Sequence, residues 1–424
     1  MFNLMAKSNS PKESMLEVSS SHKIKDRRYK KSQMPLGIAF LVGVIIIEML
    51  LYNISAKLGL FWLTGICFGF ILQKSRFCFA SAVRDPYLLG STALTKAVLI
   101  AFAITTIGFT AIKSSAYSNG LPIPGQNYVV PISFATAIGA FMFGIGMVIT
   151  GGCASSTLMR SGEGFILQLI SLFFFIVGSL LGAHNFLWWK TNFIMHGKSI
   201  FLPDIFGWLG AVIIQLLIIG ALYILANKLT NGKCLIIKRD FNLRDIVLKL
   251  IDNKFYKLWI KDSWPYIVGA VLLSVFQIVT LVATGNPWGV SESFSYWGAW
   301  LYTLIGGSVD KWYYFSSNSA QATLNLGFFN DPGSMRNMGI IFGALLASLL
   351  ASQFRIKKVR SMKQVIAAIL GGLLMGYGAT IGLGCNIGGL YSGIASLSLS
   401  GWVYAIFLFL GSIVGSKLLE RFFI

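Results

Sequence analysis

The chain has 424 residues, 55% of them hydrophobic and only 12% charged, with 45 glycines; a soluble domain carries about twice that charged fraction. These values exclude a disordered chain, a coiled coil and an ordinary water-soluble enzyme, and indicate a polytopic membrane protein. Lys plus Arg number 35 against 15 Asp plus Glu, a net charge of +20. Of those 35 cations, 22 sit in three polar patches, at residues 7–31, 228–261 and 355–363. Basic islands between apolar stretches follow the positive-inside pattern and touch anionic lipid, so no nucleic-acid partner is expected.

Residues 1–34 read as a cytoplasmic basic tail, not a signal peptide, because the first apolar run starts at Leu36 and is long enough to span. At about 20 apolar residues per crossing, the good spans are 36–54, 58–73, 92–112, 133–150, 165–187, 207–227, 265–284, 338–354, 364–382 and 402–419. Residues 114–132, 188–206 and 310–337 read as loops on the outside. The tail and the 228–263 loop are both basic, hence both inside, and six spans lie between them. From residue 265 to the basic loop at 355 only two full crossings fit. The interrupted apolar stretch 290–309 must therefore be short or re-entrant, a backbone tolerated only where it is buried in protein or lines a cavity. The expected organisation is a tail (1–34), a first membrane half (35–227), a cytoplasmic basic linker (228–263) and a second membrane half (264–424).

The strongest internal signal is a repeat. Gly139, Gly144, Gly146, Gly152 and Cys153 recur as Gly371, Gly376, Gly378, Gly384 and Cys385, at a constant offset of 232. The charge count makes the two copies antiparallel. Inverted repeats with Gly-broken helices are a mark of transporters, whose site lies near the midplane at the repeat interface. A weaker correspondence, with unequal spacing, links residues 65–82 with 285–299.

Four segments could carry chemistry. Gly151-Gly152-Cys153-Ala154-Ser155-Ser156 and Gly382-Leu383-Gly384-Cys385-Asn386 each follow an apolar span. A helix broken there leaves free N–H groups and a positive dipole end at depth, suited to an anion; close helix packing through small residues is the alternative. Residues 73–85 place Lys74, Arg76 and Arg84 around Cys78, either as cations that gather an anion at an inner mouth or as charges marking the cytoplasmic boundary. Arg160 and Glu163 follow Cys153 as an ionisable pair at depth, or as a salt bridge pinning a short helix. Asn286-Pro287-Trp288-Gly289 opens the interrupted stretch, as an interfacial anchor or as a turn shaping the pore. The five cysteines (67, 78, 153, 234 and 385) include no CxxC, and the three histidines are scattered, so no metal, cofactor or disulfide framework is expected. Cys67 and Cys234 read as packing and incidental, respectively. Carboxylates are scarce in the spans, which disfavours cation channels and ion coupling through acids. Thiols in apolar surroundings hold hard oxyanions poorly and suit a soft sulfur or selenium atom.

Residues 73–85, 151–164, 286–289 and 384–402 together resemble the YeeE/YedE sulfur-transport family, in the family's order and over about residues 36–420, nearer its longer YedE-type branch. The resemblance implies an all-α protein of the bacterial inner membrane, with about nine transmembrane helices plus short re-entrant ones in inverted repeats around a pinched central path. It further implies inward transport of a small sulfur-containing anion, thiosulfate first, passed along Cys78, Cys153 and Cys385 by S–H···S hydrogen bonds. Gly152, Gly384 and Asn386 would line the constrictions, and Arg76, Arg84 and Arg160 would balance the anion's charge. A small cytoplasmic TusA-like sulfur carrier is the implied partner. A selenium compound as cargo, or a membrane sulfurtransferase working through a cysteine persulfide, is the alternative.

Overall fold

The computed structural model describes residues 33–230, 257–359 and 361–422; the basic tail, most of the 228–263 linker and Cys234 lie outside the described residues. The membrane helices of the first half are α1 (Met34–Ile54), α2 (Ala56–Ser75), α3 (Phe79–Leu88), α4 (Ala93–Ser118), α5 (Phe134–Thr150), α6 (Ala154–Gly162), α7 (Ile166–His184) and α8 (Leu202–Thr230). Those of the second half are α9 (Tyr266–Thr284), α10 (Glu292–Leu304), α11 (Pro332–Leu350), α12 (Met362–Ile381) and α13 (Leu399–Phe422). Among the described residues ten helical stretches are long and apolar enough to cross a membrane, in line with the ten sequence spans and one more than the resemblance implies. Two of the ten, α2–α3 and α5–α6, are broken within their length, and α8 is interrupted at Gly207 near its start. The chain is an all-α polytopic membrane protein.

Helix α10 has 13 residues, about 20 Å of rise, too short for a core of about 30 Å. It is the interrupted helix that the charge count demanded. Helix α11 begins at Pro332, six residues before the expected start. Asp331 caps it, accepting from the Gly333 and Ser334 N–H groups at 3.4 and 2.7 Å, and Pro332 occupies the first turn, where a missing N–H is harmless. Its polar first turn, Arg336 included, had read as an outside loop. Trp288 is fully buried, stacked on Phe68 with ring centroids 4.0 Å apart. It is therefore a core residue and not the interfacial anchor that its Pro-Trp context suggested.

The two Gly-rich copies, α5 and α12, pack directly on each other. A Cβ on Gly139 would lie 2.6 Å from the Gly378 carbonyl oxygen, and one on Gly378 would lie 2.6 Å from that of Gly139. The pair Gly146 and Gly371 repeats this at 2.6 and 2.8 Å. The offset of 232 converts each pair into the other, the signature of an isologous contact between antiparallel copies. Helix α7 flanks α12 as α13 flanks α5. Gly378→Val should therefore cost at least the ~1–3 kcal/mol of an overpacked core, read as a lower unfolding temperature of the detergent-purified protein; an unchanged one would contradict this packing.

The loops close two opposite ends of the bundle. At one, strand β1 (Pro131–Ile132) pairs antiparallel with β2 (Lys198–Ser199), and the Gly125 N–H donates to the Gly285 carbonyl at 2.9 Å. At the other, the basic-loop end, Phe165 bridges Lys357 and the Trp264 N–H donates to the Lys74 carbonyl at 2.8 Å.

Candidate functional site: three thiols at broken helices

Cys78, Cys153 and Cys385 share one local design. Each is an extended residue immediately before a short helical segment: Cys78 before α3, Cys153 before α6, Cys385 before a π-helical turn at Asn386–Ser392. Two residues earlier in every case the chain passes through a left-handed residue, Arg76 (φ 53°), Gly151 (φ 73°) or Leu383 (φ 58°). That reversal ends the preceding long helix and aims the next helix's free N–H groups, with their positive dipole end, at the thiol's surroundings. Arg76 and Leu383 hold this backbone although it costs a non-glycine residue about 1 kcal/mol or more.

All three thiols are buried, at 4%, 0% and 0% exposure. The Cys78 and Cys153 thiols are close neighbours inside the bundle. The Ser155 and Ser156 hydroxyls lie 3.4 and 3.5 Å from the Cys153 sulfur, and Ser156 also reaches Cys78. The Tyr404 hydroxyl lies within electrostatic range of both Cys385 and Cys153 and donates to the Gly384 carbonyl at 3.0 Å. Asn386 reaches from the second copy to the first, its Nδ2 3.3 Å from the Met147 sulfur. Nothing in the sequence singled out Tyr404 or Met147: both sit in apolar runs where aromatics and Met read as packing. Gly152 faces the Ser156 hydroxyl, whereas Gly384 is held against the Gly389 backbone. Cys67, on α2, is half-buried and outside this group.

The three predicted arginines behave differently. Arg76 pairs with Glu163 at 2.5 Å and donates to Gln353 at 3.1 Å; Gln73 donates to the same carboxylate at 3.2 Å. Glu163 is thus the partner of Arg76 and not of Arg160, contrary to the local pairing expected. Arg84 is neutralised by its neighbour Asp85 at 2.7 Å. Arg160 has no carboxylate partner among the described residues. Its Nη1 donates to the Gly151 carbonyl at 3.0 Å, bracing the break before Cys153, and its charge reaches Cys78. Lys357 and Arg355 join Arg76 and Arg160 near Glu163, and burial together with these cations pushes the Lys357 ammonium down from its ordinary value. The basic-loop end is therefore net positive.

The profile of the sulphur transport family matches residues 74–414. The thiosulfate transporter TsuA of Spirochaeta thermophila is 27% identical over 368 residues, covering 82% of this chain and 95% of that protein. The Escherichia coli TsuA is 26% identical, covering 82% and 90%. YedE of Escherichia coli, described as a probable transporter, is 27% identical over 39% of this chain and 40% of its own length. With that profile spanning the cysteine-bearing helices of both copies, the chain belongs to the sulphur transport family and is a multi-pass membrane transport protein.

Proposed function

We propose that this protein imports thiosulfate across the bacterial inner membrane, handing the ion from Cys385 to Cys153 to Cys78. The observation that carries the reading is the close approach of Cys78 and Cys153, each at the N-terminus of a short helix inside the bundle. A thiol donates to the terminal sulfur of thiosulfate, while the helix end offsets negative charge. Several weak sites in series bind the ion without trapping it. The Gly-bearing breaks are where the chain flexes to open each end of the path. The family resemblance and the names of the TsuA relatives support thiosulfate over a selenium compound. In this reading the net-positive cluster at the basic-loop end faces the cytoplasm and releases the ion, there received by a TusA-like carrier.

The test is growth on thiosulfate as sole sulfur source in a host lacking its own thiosulfate importers. The wild-type chain restores growth if the proposal holds; absence of growth with the protein present in the membrane overturns the substrate assignment.

A further inference from the structure

Arg336, on the first turns of α11, is 3% exposed, yet two of its nitrogens, Nε and Nη2, have no hydrogen-bond partner. The guanidinium lies 4.0 Å over the Phe61 ring centroid, which fixes its plane and leaves an edge free. Nε and Nη2 form one side of the guanidinium fork, the edge that takes two oxygens of a carboxylate or a tetrahedral oxyanion in parallel. The only ion pairs among the described residues are Arg76–Glu163 and Arg84–Asp85, so no carboxylate neutralises this charge at contact. Asp331 lies within electrostatic range, but its oxygens already cap α11 through Gly333 and Ser334. A buried cation with an unfilled fork is costly unless a ligand completes it.

Its position is as informative as its chemistry. Arg336 lies at the end of the bundle opposite the basic loop, within electrostatic range of Tyr128, and Tyr128 is likewise within range of Cys385. The Tyr128 hydroxyl packs against Gly289, and Asn337, next to Arg336, donates to the Val290 carbonyl at 2.9 Å while its own Oδ1 has no partner. Arg336 therefore lies near the turn between α9 and α10, over Phe61 of α2 and within range of Tyr128, which is in range of Cys385.

We infer that the Nε/Nη2 edge of Arg336 is an oxyanion subsite at the outer end of the pathway. It takes the oxygen-bearing end of a tetrahedral sulfur oxoanion before the sulfur atom reaches Cys385. This rests on the sulfur-anion reading above and assigns recognition of the oxygens to a residue separate from the thiols. Sulfate, which has the oxygens and no terminal sulfur, binds this subsite and competes with thiosulfate.

The experiment uses the full-length protein in proteoliposomes, as wild type, Arg336→Gln and Arg336→Lys, with labelled thiosulfate and sulfate as competitor. Loss of a two-point charge-assisted contact should raise the thiosulfate KM of Arg336→Gln roughly 10–100-fold, at a maximal rate within about threefold, and abolish competition by sulfate. Arg336→Lys keeps the charge without the fork and should raise KM as well; it serves alone if the Gln variant is not recovered. An unchanged KM in the variants overturns the subsite, and so does a lowered rate and unfolding temperature at constant KM, which is the mark of a structural arginine. If the wild type carries no thiosulfate, the transport reading fails, and equilibrium dialysis of labelled sulfate decides the subsite by itself. Binding that disappears in Arg336→Gln supports it, and equal binding in both overturns it.

Discussion

Cys153→Ala and Cys385→Ala should each reduce uptake of labelled thiosulfate by roughly 10–100-fold, the effect of removing a hydrogen bond to a charged ligand from an apolar site. Both thiols are fully buried, so the ion passing them has no water to replace the lost donor. Cys78→Ala should be milder, about tenfold or less, because the Arg160 charge, which reaches Cys78, remains to hold the anion there. Cys67→Ala, on a half-buried position of α2, should leave uptake within about twofold. A Cys→Ala change deletes one atom, a packing loss of ~1 kcal/mol, so the variants should still fold, and membrane abundance measured alongside uptake checks this. Full uptake by both Cys153→Ala and Cys385→Ala would end the relay idea while leaving transport standing.

The second large effect separates two positions that the repeat makes formally equivalent. Gly384→Ala should abolish uptake and lower stability, whereas Gly152→Ala should retain most of both. A Cβ at Gly384 would lie 2.5 Å from the Gly389 nitrogen and 2.7 Å from its Cα, backbone that belongs to the π-helical turn following Cys385. At Gly152 the nearest atom is the Ser156 hydroxyl at 2.8 Å, a side chain that can rotate away. Displacing the turn moves the N–H groups beside Cys385, and a shift of about 1 Å is enough to spoil a positioned site. Uptake and unfolding temperature, measured for both variants, check the asymmetry; equal tolerance at the two sites would show that the Cys385 turn is not held by this contact.

What the sequence made legible follows from range. The repeat was visible because its glycines keep a constant offset, and the structure gives the reason: Gly139 meets Gly378 and Gly146 meets Gly371, so no side chain can enter at any of the four. The breaks at Cys153 and Cys385 are visible because glycines crowd both, although at Cys385 the reversal itself falls on Leu383 and not on a glycine. The break at Cys78 was marked only by its cations, since its left-handed residue is Arg76. Contacts between distant elements were hidden. Glu163 chose Arg76, 87 residues away, over Arg160 on its own turn, and Tyr404 reached both copies from the last helix. Arg336 sits in a polar first turn of α11 whose composition resembles loop, although Asp331 and Pro332 mark a helix start there.

The central claim, that an intact sulfur anion moves past buried thiols without reacting with them, is tested most directly with thiosulfate labelled separately at its terminal and its central sulfur. Purified protein in sealed liposomes is given each form in parallel. Passage of the whole ion predicts equal internal accumulation of the two labels, with neither retained on the protein after washing. Accumulation of the terminal label alone, or its covalent retention on Cys153 or Cys385, would contradict the account and place sulfur transfer through a persulfide in its stead.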